Sequence, residues 1–187
     1  MNYREVEMKD IIRKLYYKII LRDKAESDAE YIIRIHGRLH DLVKSQKNRL
    51  MGGVLLRRRY QKVCLKYGCF IPPSCELGKS LVFPHGVFGV FISQNAIIGS
   101  NCVIFQQVTI GSNTLEDSAS AGSPKIGDNV YIGAGAKVIG GCNIGNNVRI
   151  GANAVVTKNI PDNVTVVGAE NRIIKHDRVL NNDFIAK

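Results

Sequence analysis

A single histidine, His85, stands in the stretch FPHGVFGVFI (residues 83–92), among glycines and bulky apolar residues. Imidazole accepts a proton near neutral pH, so a histidine held beside a hydroxyl group can act as a general base. Pro84, Gly86 and Gly89 give its side chain few large neighbours along the chain. A purely structural histidine is the alternative. We interpret His85 as a candidate catalytic base for chemistry at a hydroxyl.

The other histidines and the cysteines are weaker candidates. His36 and His40 lie four residues apart on a helical pattern and would need a third ligand to bind a metal, so a solvated helix face is favoured. Five cysteines without a CxxC pair argue against a disulfide framework or a zinc site and indicate a reducing, cytoplasmic location. Cys102 and Cys142 occupy inward positions of a repeat, which makes a cysteine nucleophile a minor rival. We expect no metal.

Positive charge is concentrated in the first third of the chain. The formal net charge is +10, and residues 1–70 hold 17 Lys and Arg against 8 Asp and Glu. No helix-turn-helix or aromatic-basic signature accompanies this charge, so we expect no nucleic acid partner. A solvated helical surface is favoured, and contact with an anionic membrane surface is the alternative. No apolar run approaches the roughly 18 residues of a membrane-spanning helix, and the first ten residues lack a signal-peptide pattern.

Residues 1–69 form the predicted N-terminal helical region. Apolar residues recur there at helical spacing, as at Ile32, Ile35, Leu39 and Leu42. Ser27 and Glu30 make a capping box that predicts a helix start near Asp28. Gly52 and Gly53 are expected to break the pattern before a further amphipathic helix, VLLRRRYQKVCLK. We predict three helices in this region.

After Gly68 a six-residue period replaces the helical one. Aliphatic residues recur without a slip, and the series resumes in register after one interruption: Ile92, Ile98, Ile104, Ile110, Ile126, Ile132, Val138, Ile144, Ile150 and Val156. A second series of small or β-branched residues lies two positions earlier: Ala96, Cys102, Val108, Val130, Ala136, Cys142, Val148 and Ala154. Glycine often follows the aliphatic residue directly, as at Gly99 and Gly127.

This period predicts a triangular coil with short, flat sides. One aliphatic residue per side points to the axis, the smaller residue fills the remaining space, and glycine or asparagine is expected at the corner, where a positive φ is needed. Stacked coils bury one another's apolar residues and pair their backbones, so several coils are required. A β-sandwich with accidental spacing is disfavoured, because its turns vary in length.

The repeat resembles the left-handed parallel β-helix of hexapeptide-repeat acyltransferases over residues 70–174. Within that family, CVIFQQVTIGSN and SPKIGDNVYIGAGAKVIGGCNIGNNVRIGANAVVTKNIPDNVTVVGAENRII are most similar to serine acetyltransferases and their saccharide-acetylating relatives. The resemblance implies the left hand, a homotrimer, acetyl-CoA as co-substrate, and His85 as the base of a direct acetyl transfer. It also places acetyl-CoA along the C-terminal coils, near the backbone of Gly111, Ala134 and Ala152. Lys158 and Arg172 are cations that we expect to meet the CoA phosphates.

Residues 111–125, GSNTLEDSASAGSPK, interrupt the repeat without disturbing its register. We predict a loop extruded from the coil, since functional segments often leave a rigid scaffold in this way. In this family such loops reach over the active site at a subunit boundary, which would bring Glu116 and Asp117 to the acceptor. A tolerated surface insertion is the alternative. Residues 175–187 form the predicted C-terminal tail.

The acceptor pocket departs from the serine acetyltransferase pattern. The family's orienting aspartate is replaced by Phe70, the carboxylate before the histidine by Pro84, and the arginine and histidine of an RHPKIG segment by Gly122 and Ser123. Each lost charged hydrogen bond removes about 1.5–3 kcal/mol of binding free energy, so serine is expected to bind poorly.

We therefore expect a saccharide acceptor, as in capsular polysaccharide or O-antigen modification. Aromatic rings suit stacking against a sugar, and we assign the acceptor site to Phe83, Phe88, Gln106, Glu116 and Asp117, with Phe91 nearby. The alternatives are a serine O-acetyltransferase with an altered pocket, a xenobiotic acetyltransferase, and a non-catalytic trimeric scaffold.

Overall fold

The computed structural model describes residues 27–45, 51–170 and 173–177. Two helices, α1 (Asp28–Lys44) and α2 (Met51–Lys66), precede twelve short strands in this part of the chain. The strands are β1 (Glu76–Leu77), β2 (Phe91–Ile92), β3 (Ile97–Ile98), β4 (Val103–Ile104), β5 (Thr109–Gly111), β6 (Lys125–Ile126), β7 (Tyr131–Ile132), β8 (Lys137–Ile139), β9 (Asn143–Ile144), β10 (Arg149–Ile150), β11 (Val155–Val156) and β12 (Thr165–Val166).

The strands form three parallel sheets that wrap a single core. Face 1 has the order β1-β3-β6-β9, face 2 has β12-β10-β7-β4, and face 3 has β11-β8-β5-β2. From β2 to β11 successive strands visit the faces in rotation, and residues of one face pair in register, as Ile104 with Ile132 and Ile132 with Ile150. The predicted parallel β-helix is therefore confirmed.

Both predicted inward series form the core. Every aliphatic position from Ile92 to Val156 is at most 3% exposed, and the smaller series from Ala96 to Ala154 is equally buried. The residue between two inward positions points to solvent, because strand side chains alternate between the two sides. Tyr131 is 42% exposed beside the fully buried Ile132. A period of six therefore fixes which atoms of each coil face outward.

The corners of the coil correct one sequence expectation. The residue with positive φ is the third after the aliphatic one, for example Asn101 at 57° and Asn129 at 55°. The glycines that directly follow the aliphatic residue in these coils do not have a positive φ, so the expectation for them was wrong. They allow close stacking instead: a Cβ on Gly133 would lie 2.7 Å from the Ala152 nitrogen of the next coil.

Helices α1 and α2 are fastened to the first coil by backbone carbonyls. Ser27 caps α1 as expected, with a hydrogen bond from the Glu30 N–H to Ser27 Oγ and from the Ser27 N–H to Glu30 Oε2. His36 Nε2 donates to the Pro72 carbonyl (3.0 Å), His40 Nδ1 donates to the Pro73 carbonyl (2.8 Å), and Tyr60 Oη donates to the Ile71 carbonyl (2.6 Å). The two histidines therefore join helix α1 to the first coil through hydrogen bonds.

Helix α2 differs from its prediction at one end. It begins at Met51 and includes Gly52 and Gly53 in its first turn, where the N–H groups have no intrahelical partner in any case. Glycine therefore costs little there, and the predicted break does not form. The first of the three predicted helices falls within residues 1–26, outside the described residues.

Burial of His36 makes the fold sensitive to acid. Its side chain is 2% exposed, and desolvation lowers the pKa of His36 from 6.5 to about 4, with a smaller contribution from His40. The unfolded chain binds a proton near pH 6.5 while the folded protein does not, so stability is lost as the pH falls from 6.5 towards 4. A shift of this size corresponds to about 3 kcal/mol.

We expect urea unfolding of the wild type and of His36→Gln to converge as the pH is lowered across that range, because only the wild type loses the contribution. His176→Gln, which changes an exposed histidine, should follow the wild type at every pH. A stability difference between wild type and His36→Gln that stays constant would contradict this account.

Candidate active site

His85 lies on a turn that the regular repeat does not contain. Val82 pairs with Val103 and Phe91 pairs with Thr109, so nine residue steps in the first coil match six in the second. The three additional residues bulge outward at the corner between faces 2 and 3. Gly86 at φ 70° and Gly89 at φ 63° allow this turn, and Val87 and Val90, both fully buried, anchor it. His85 is left exposed on the bulge.

The His85 ring is held by two neighbours from the second coil. Its Nδ1 lies 2.9 Å from Gln106 Oε1, and the Phe105 ring meets it edge-on with centroids 5.2 Å apart. An amide oxygen only accepts hydrogen bonds, so Nδ1 carries the proton and Nε2 carries the lone pair. No described residue hydrogen-bonds Nε2. The imidazole is therefore set up to accept a proton at Nε2.

An aromatic row that the sequence analysis missed runs outward from His85. Phe105 contacts His85, and Tyr131 follows with its ring centroid 5.1 Å from that of Phe105. The sequence did carry a signal for Phe105, because it occupies the repeat position that holds glycine at Gly99 and Gly111. Phe105 therefore packs against the imidazole, and Tyr131 packs against Phe105.

The corner between faces 2 and 3 continues as a column of small residues above Gln106. The Gly135 N–H donates to the Gln106 carbonyl (3.0 Å), and the Asn153 N–H donates to the Ala134 carbonyl (2.9 Å), so successive turns stack. Within the described chain the N–H groups of Ala134 and Ala152 have no hydrogen-bond partner. The structure thus places two of the predicted cofactor-binding residues, Ala134 and Ala152, on the same corner as His85.

Other predicted site residues lie at the corner between faces 3 and 1. Gly111 ends β5 on face 3, and its carbonyl accepts from the Gly140 N–H (2.9 Å). Lys158 is exposed after β11, at that same corner. Arg172 lies outside the described residues. Within one protomer these residues and His85 are therefore on different corners of the coil.

The predicted loop leaves the coil at the corner between faces 3 and 1. Asn113 and Gly122 exchange backbone hydrogen bonds of 2.8 and 2.9 Å that close it, and the Gly141 N–H donates to the Ser120 carbonyl (2.8 Å). Glu116 and Asp117 are exposed at its far end. Among the described residues neither acid contacts His85, so the acceptor role predicted for them is not met within one protomer.

The aromatic residues assigned to the acceptor have other surroundings. Phe83 is only 8% exposed and belongs to the core, so its assignment to the acceptor was wrong. Phe88 is 56% exposed, with its ring edge-on to Tyr67. Gln106, also assigned to the acceptor, contacts His85 instead. Neither Phe83 nor Phe88 has a described ring contact with His85, whose ring contact is with Phe105.

The cysteines of the coil are placed as the repeat predicts. Cys102 is fully buried and Cys142 is 2% exposed, and burial raises the pKa of both thiols. A thiol with a raised pKa is a poor nucleophile at neutral pH. Among the described residues, no group of three or more His, Cys, Asp or Glu side chains is arranged to hold a metal ion.

Comparison with known proteins identifies the fold family. The protein-family model described as bacterial transferase hexapeptide (six repeats) matches residues 123–158. A serine acetyltransferase from Staphylococcus aureus (strain Mu50) is 46% identical over 112 residues, which is 60% of this chain and 51% of that protein. Over these residues the chain is similar to hexapeptide-repeat acetyltransferases. It spans about half the length of the curated relatives it matches.

Solved serine acetyltransferases share the fold of this chain. The Neisseria gonorrhoeae enzyme in complex with serine gives a TM-score of 0.63 at 29% identity, over 88% of this chain and 68% of that one. A serine acetyltransferase in complex with CoA gives 0.65 at 25% identity, over 80% and 58%. The left-handed parallel β-helix with N-terminal helices, expected from the sequence, is confirmed.

These comparisons overturn the saccharide acceptor. The relatives are named serine acetyltransferases, and one neighbour was solved with serine bound, whereas none of those described points to capsular polysaccharide or O-antigen. The sequence argument relied on rings for sugar stacking, and Phe83 is buried. The saccharide expectation was wrong.

Contact of the basic helical region with an anionic membrane surface stays a prediction. Within residues 27–45, 51–170 and 173–177, no helix combines the length and the apolar character needed to cross a bilayer. The cytoplasmic location stays a prediction.

Proposed function

We propose that this chain is an acetyl-CoA-dependent serine O-acetyltransferase in which His85 is the general base. The observation that carries the proposal is the hydrogen bonding of the His85 imidazole. Nδ1 donates to Gln106, which leaves the Nε2 lone pair exposed at one end of a column of open backbone groups. The naming of the relatives as serine acetyltransferases supports the choice of acceptor.

The reaction is a direct transfer without a covalent enzyme intermediate. His85 Nε2 removes the proton from the serine hydroxyl as the hydroxyl oxygen attacks the thioester carbonyl, and a tetrahedral oxyanion forms. Backbone N–H groups at the site stabilise that oxyanion. When it collapses, the carbon–sulfur bond breaks, and the imidazolium gives its proton to the leaving CoA sulfur. The products are O-acetylserine and CoA, and His85 returns to its starting state.

The donor site follows the corner between faces 2 and 3. The unpartnered N–H groups of Ala134 and Ala152 fit the amide carbonyls of an extended pantetheine chain, and the small residues there leave the backbone accessible. When bound, acetyl-CoA supplies the activated acetyl group. Lys158, and Arg172 outside the described residues, are proposed to meet its phosphates as cations. The similarity of this chain to a serine acetyltransferase solved in complex with CoA supports this assignment.

The position of the predicted residues supports a homotrimer with sites between subunits. Ala134, Ala152 and His85 share one corner, whereas Gly111, Lys158 and the loop with Glu116 and Asp117 share another. Two corners meet only where neighbouring β-helices pack side by side. We propose that each site combines the His85 corner of one protomer with the loop corner of the next, and that the species in solution has about three times the 20.7 kDa of one chain.

Serine is expected to bind weakly even so. Gly122 stands where similar enzymes carry the arginine that receives the serine carboxylate, and Pro84 stands where they carry a carboxylate. Each charged hydrogen bond is worth about 1.5–3 kcal/mol. The KM for serine should therefore lie at or above the upper end of the usual range, about 1 mM.

The test follows O-acetylserine by mass spectrometry and CoA thiol by colour formation, with acetyl-CoA and serine at up to high millimolar concentration. We expect equal amounts of both products, no product without serine, and a sedimentation mass of a trimer. CoA release without O-acetylserine would contradict the acceptor. Binding of neither substrate would leave only the trimeric scaffold.

A further inference from the structure

Gln106 stands where an acidic residue would be expected to orient a catalytic histidine. The only side chain of the described residues that hydrogen-bonds the His85 ring is this neutral amide, at 2.9 Å from Nδ1. Phe70, which replaces the aspartate of the serine acetyltransferase pattern, pairs with Phe91 on face 3. Its side chain has no hydrogen-bond acceptor, and its carbonyl accepts from the Ile92 N–H (2.8 Å). The orientation of His85 therefore depends on Gln106.

The backbone around Gln106 holds its side chain in place. The Gln106 carbonyl accepts from the Gly135 N–H of the coil above (3.0 Å), and the next residue, Gln107, donates its N–H to the Phe88 carbonyl of the coil below (2.8 Å). Gln107 turns the corner at φ 61°, which sends its side chain over Gly89 and away from His85. Two adjacent glutamines therefore have different environments, and one of them contacts the imidazole.

We infer that Gln106 is the positioning residue of His85: its amide oxygen selects the Nδ1–H tautomer and so directs the Nε2 lone pair at the acceptor hydroxyl. The inference rests on the proposed function for its catalytic consequence, and on the 2.9 Å contact alone for the tautomer. A neutral amide orients the ring without adding a negative charge. A carboxylate in its place would also stabilise the protonated ring, because an opposite charge nearby favours the charged form.

The tautomer is measured directly by ring ¹⁵N NMR of the full-length protein. The chain has four histidines, and the signals of His85 are identified by their loss in His85→Asn. We expect the wild type to show Nδ1–H, Gln106→Leu to show a mixture of both tautomers, and the matched variant Gln107→Leu to resemble the wild type. An unchanged Nδ1–H signal in Gln106→Leu would overturn the inference.

Kinetics supply the second measurement. Gln106→Leu should lower kcat by about 10–100-fold with little change in the KM for acetyl-CoA, which is the size of effect known for the hydrogen-bond partners that orient metal-bound imidazoles. Gln106→Glu should restore much of kcat and move the acid limb of the pH–rate profile to higher pH. Gln107→Glu, which adds the same charge one residue away without contacting the ring, should move that limb far less.

The two proposals fail in different ways. If the wild type makes no O-acetylserine but the tautomer still follows Gln106, serine acetylation is wrong and the positioning role holds. If the wild type turns over and Gln106→Leu keeps both its tautomer and its kcat, the positioning role is wrong. Equal movement of the acid limb in Gln106→Glu and Gln107→Glu would likewise contradict a direct contact.

Discussion

Replacing His85 with asparagine is expected to lower kcat for acetyl transfer to serine by about 10²–10⁴-fold, the usual contribution of a general base. Asparagine is similar in size and polarity but cannot take the hydroxyl proton near neutral pH. The bulge that carries residue 85 is held by Val87 and Val90, both fully buried, so the fold should survive the change. The measurement is steady-state formation of O-acetylserine.

The loss should be confined to the chemical step. Acetyl-CoA is proposed to bind on the column above Gln106, so its dissociation constant, measured by calorimetry, should be nearly the same in His85→Asn as in the wild type. His176→Asn changes an exposed histidine to which no role is assigned and should leave kcat unaltered. If His85→Asn keeps most of its activity, the general base is a different group and the proposed mechanism is wrong.

The β-helix was predictable because its period is a property of the chain alone. A side chain that must meet the axis once per flat side recurs every six residues, and the buried ladder from Ile104 through Ile132 to Ile150 follows directly. The function of the glycines was not predictable in this way. Whether a glycine serves a positive φ or a close approach depends on the distance to the next coil, and Gly133 serves the second purpose.

The sequence predicted the candidate general base of the site, but not the residues that contact it. His85 was identified because it is the one histidine in the repeat. The structure shows why it is exposed: nine residue steps separate Val82 from Phe91, where a regular coil has six. Gln106 could not be assigned to His85 from the sequence, since 21 positions separate them and only the stacking of coils makes them neighbours. The same stacking brings Phe105 to the ring.

The acceptor was mispredicted for a related reason. The sequence shows that charged groups are missing at Phe70 and Pro84, but a missing charge lowers affinity without naming another substrate. The ring proposed for sugar stacking, Phe83, follows the outward-pointing Val82 and takes an inward position equivalent to that of Ile104, because the Ile104 N–H donates to the Val82 carbonyl. Stepping back six residues from Ile92 reaches Gly86, so the three additional residues of the bulge conceal the inward position of Phe83 in the sequence.

The second large effect is expected at the axis of the coil, where Ile150→Ala should lower the free energy of unfolding by about 2–5 kcal/mol. Ile150 is fully buried and pairs with Ile132 on one side and Val166 on the other, so the shortened side chain leaves a cavity between two coils. Stacked repeats contact only their neighbours, and a defect in one coil weakens both of its interfaces. Guanidinium unfolding at a fixed protomer concentration measures the change.

Arg149→Ala is the matched control, because Arg149 is the other residue of the same two-residue strand and is exposed. Its effect should stay within about 0.5 kcal/mol, as for most surface substitutions. Ile150 lies in the same coil as Ala152 and two coils above Ile104, which precedes Phe105 and Gln106. Ile150→Ala should therefore weaken acetyl-CoA binding at Ala152 more than it disturbs His85. Equal destabilisation by the two variants would mean that the alternation of inward and outward residues does not govern the stability of this coil.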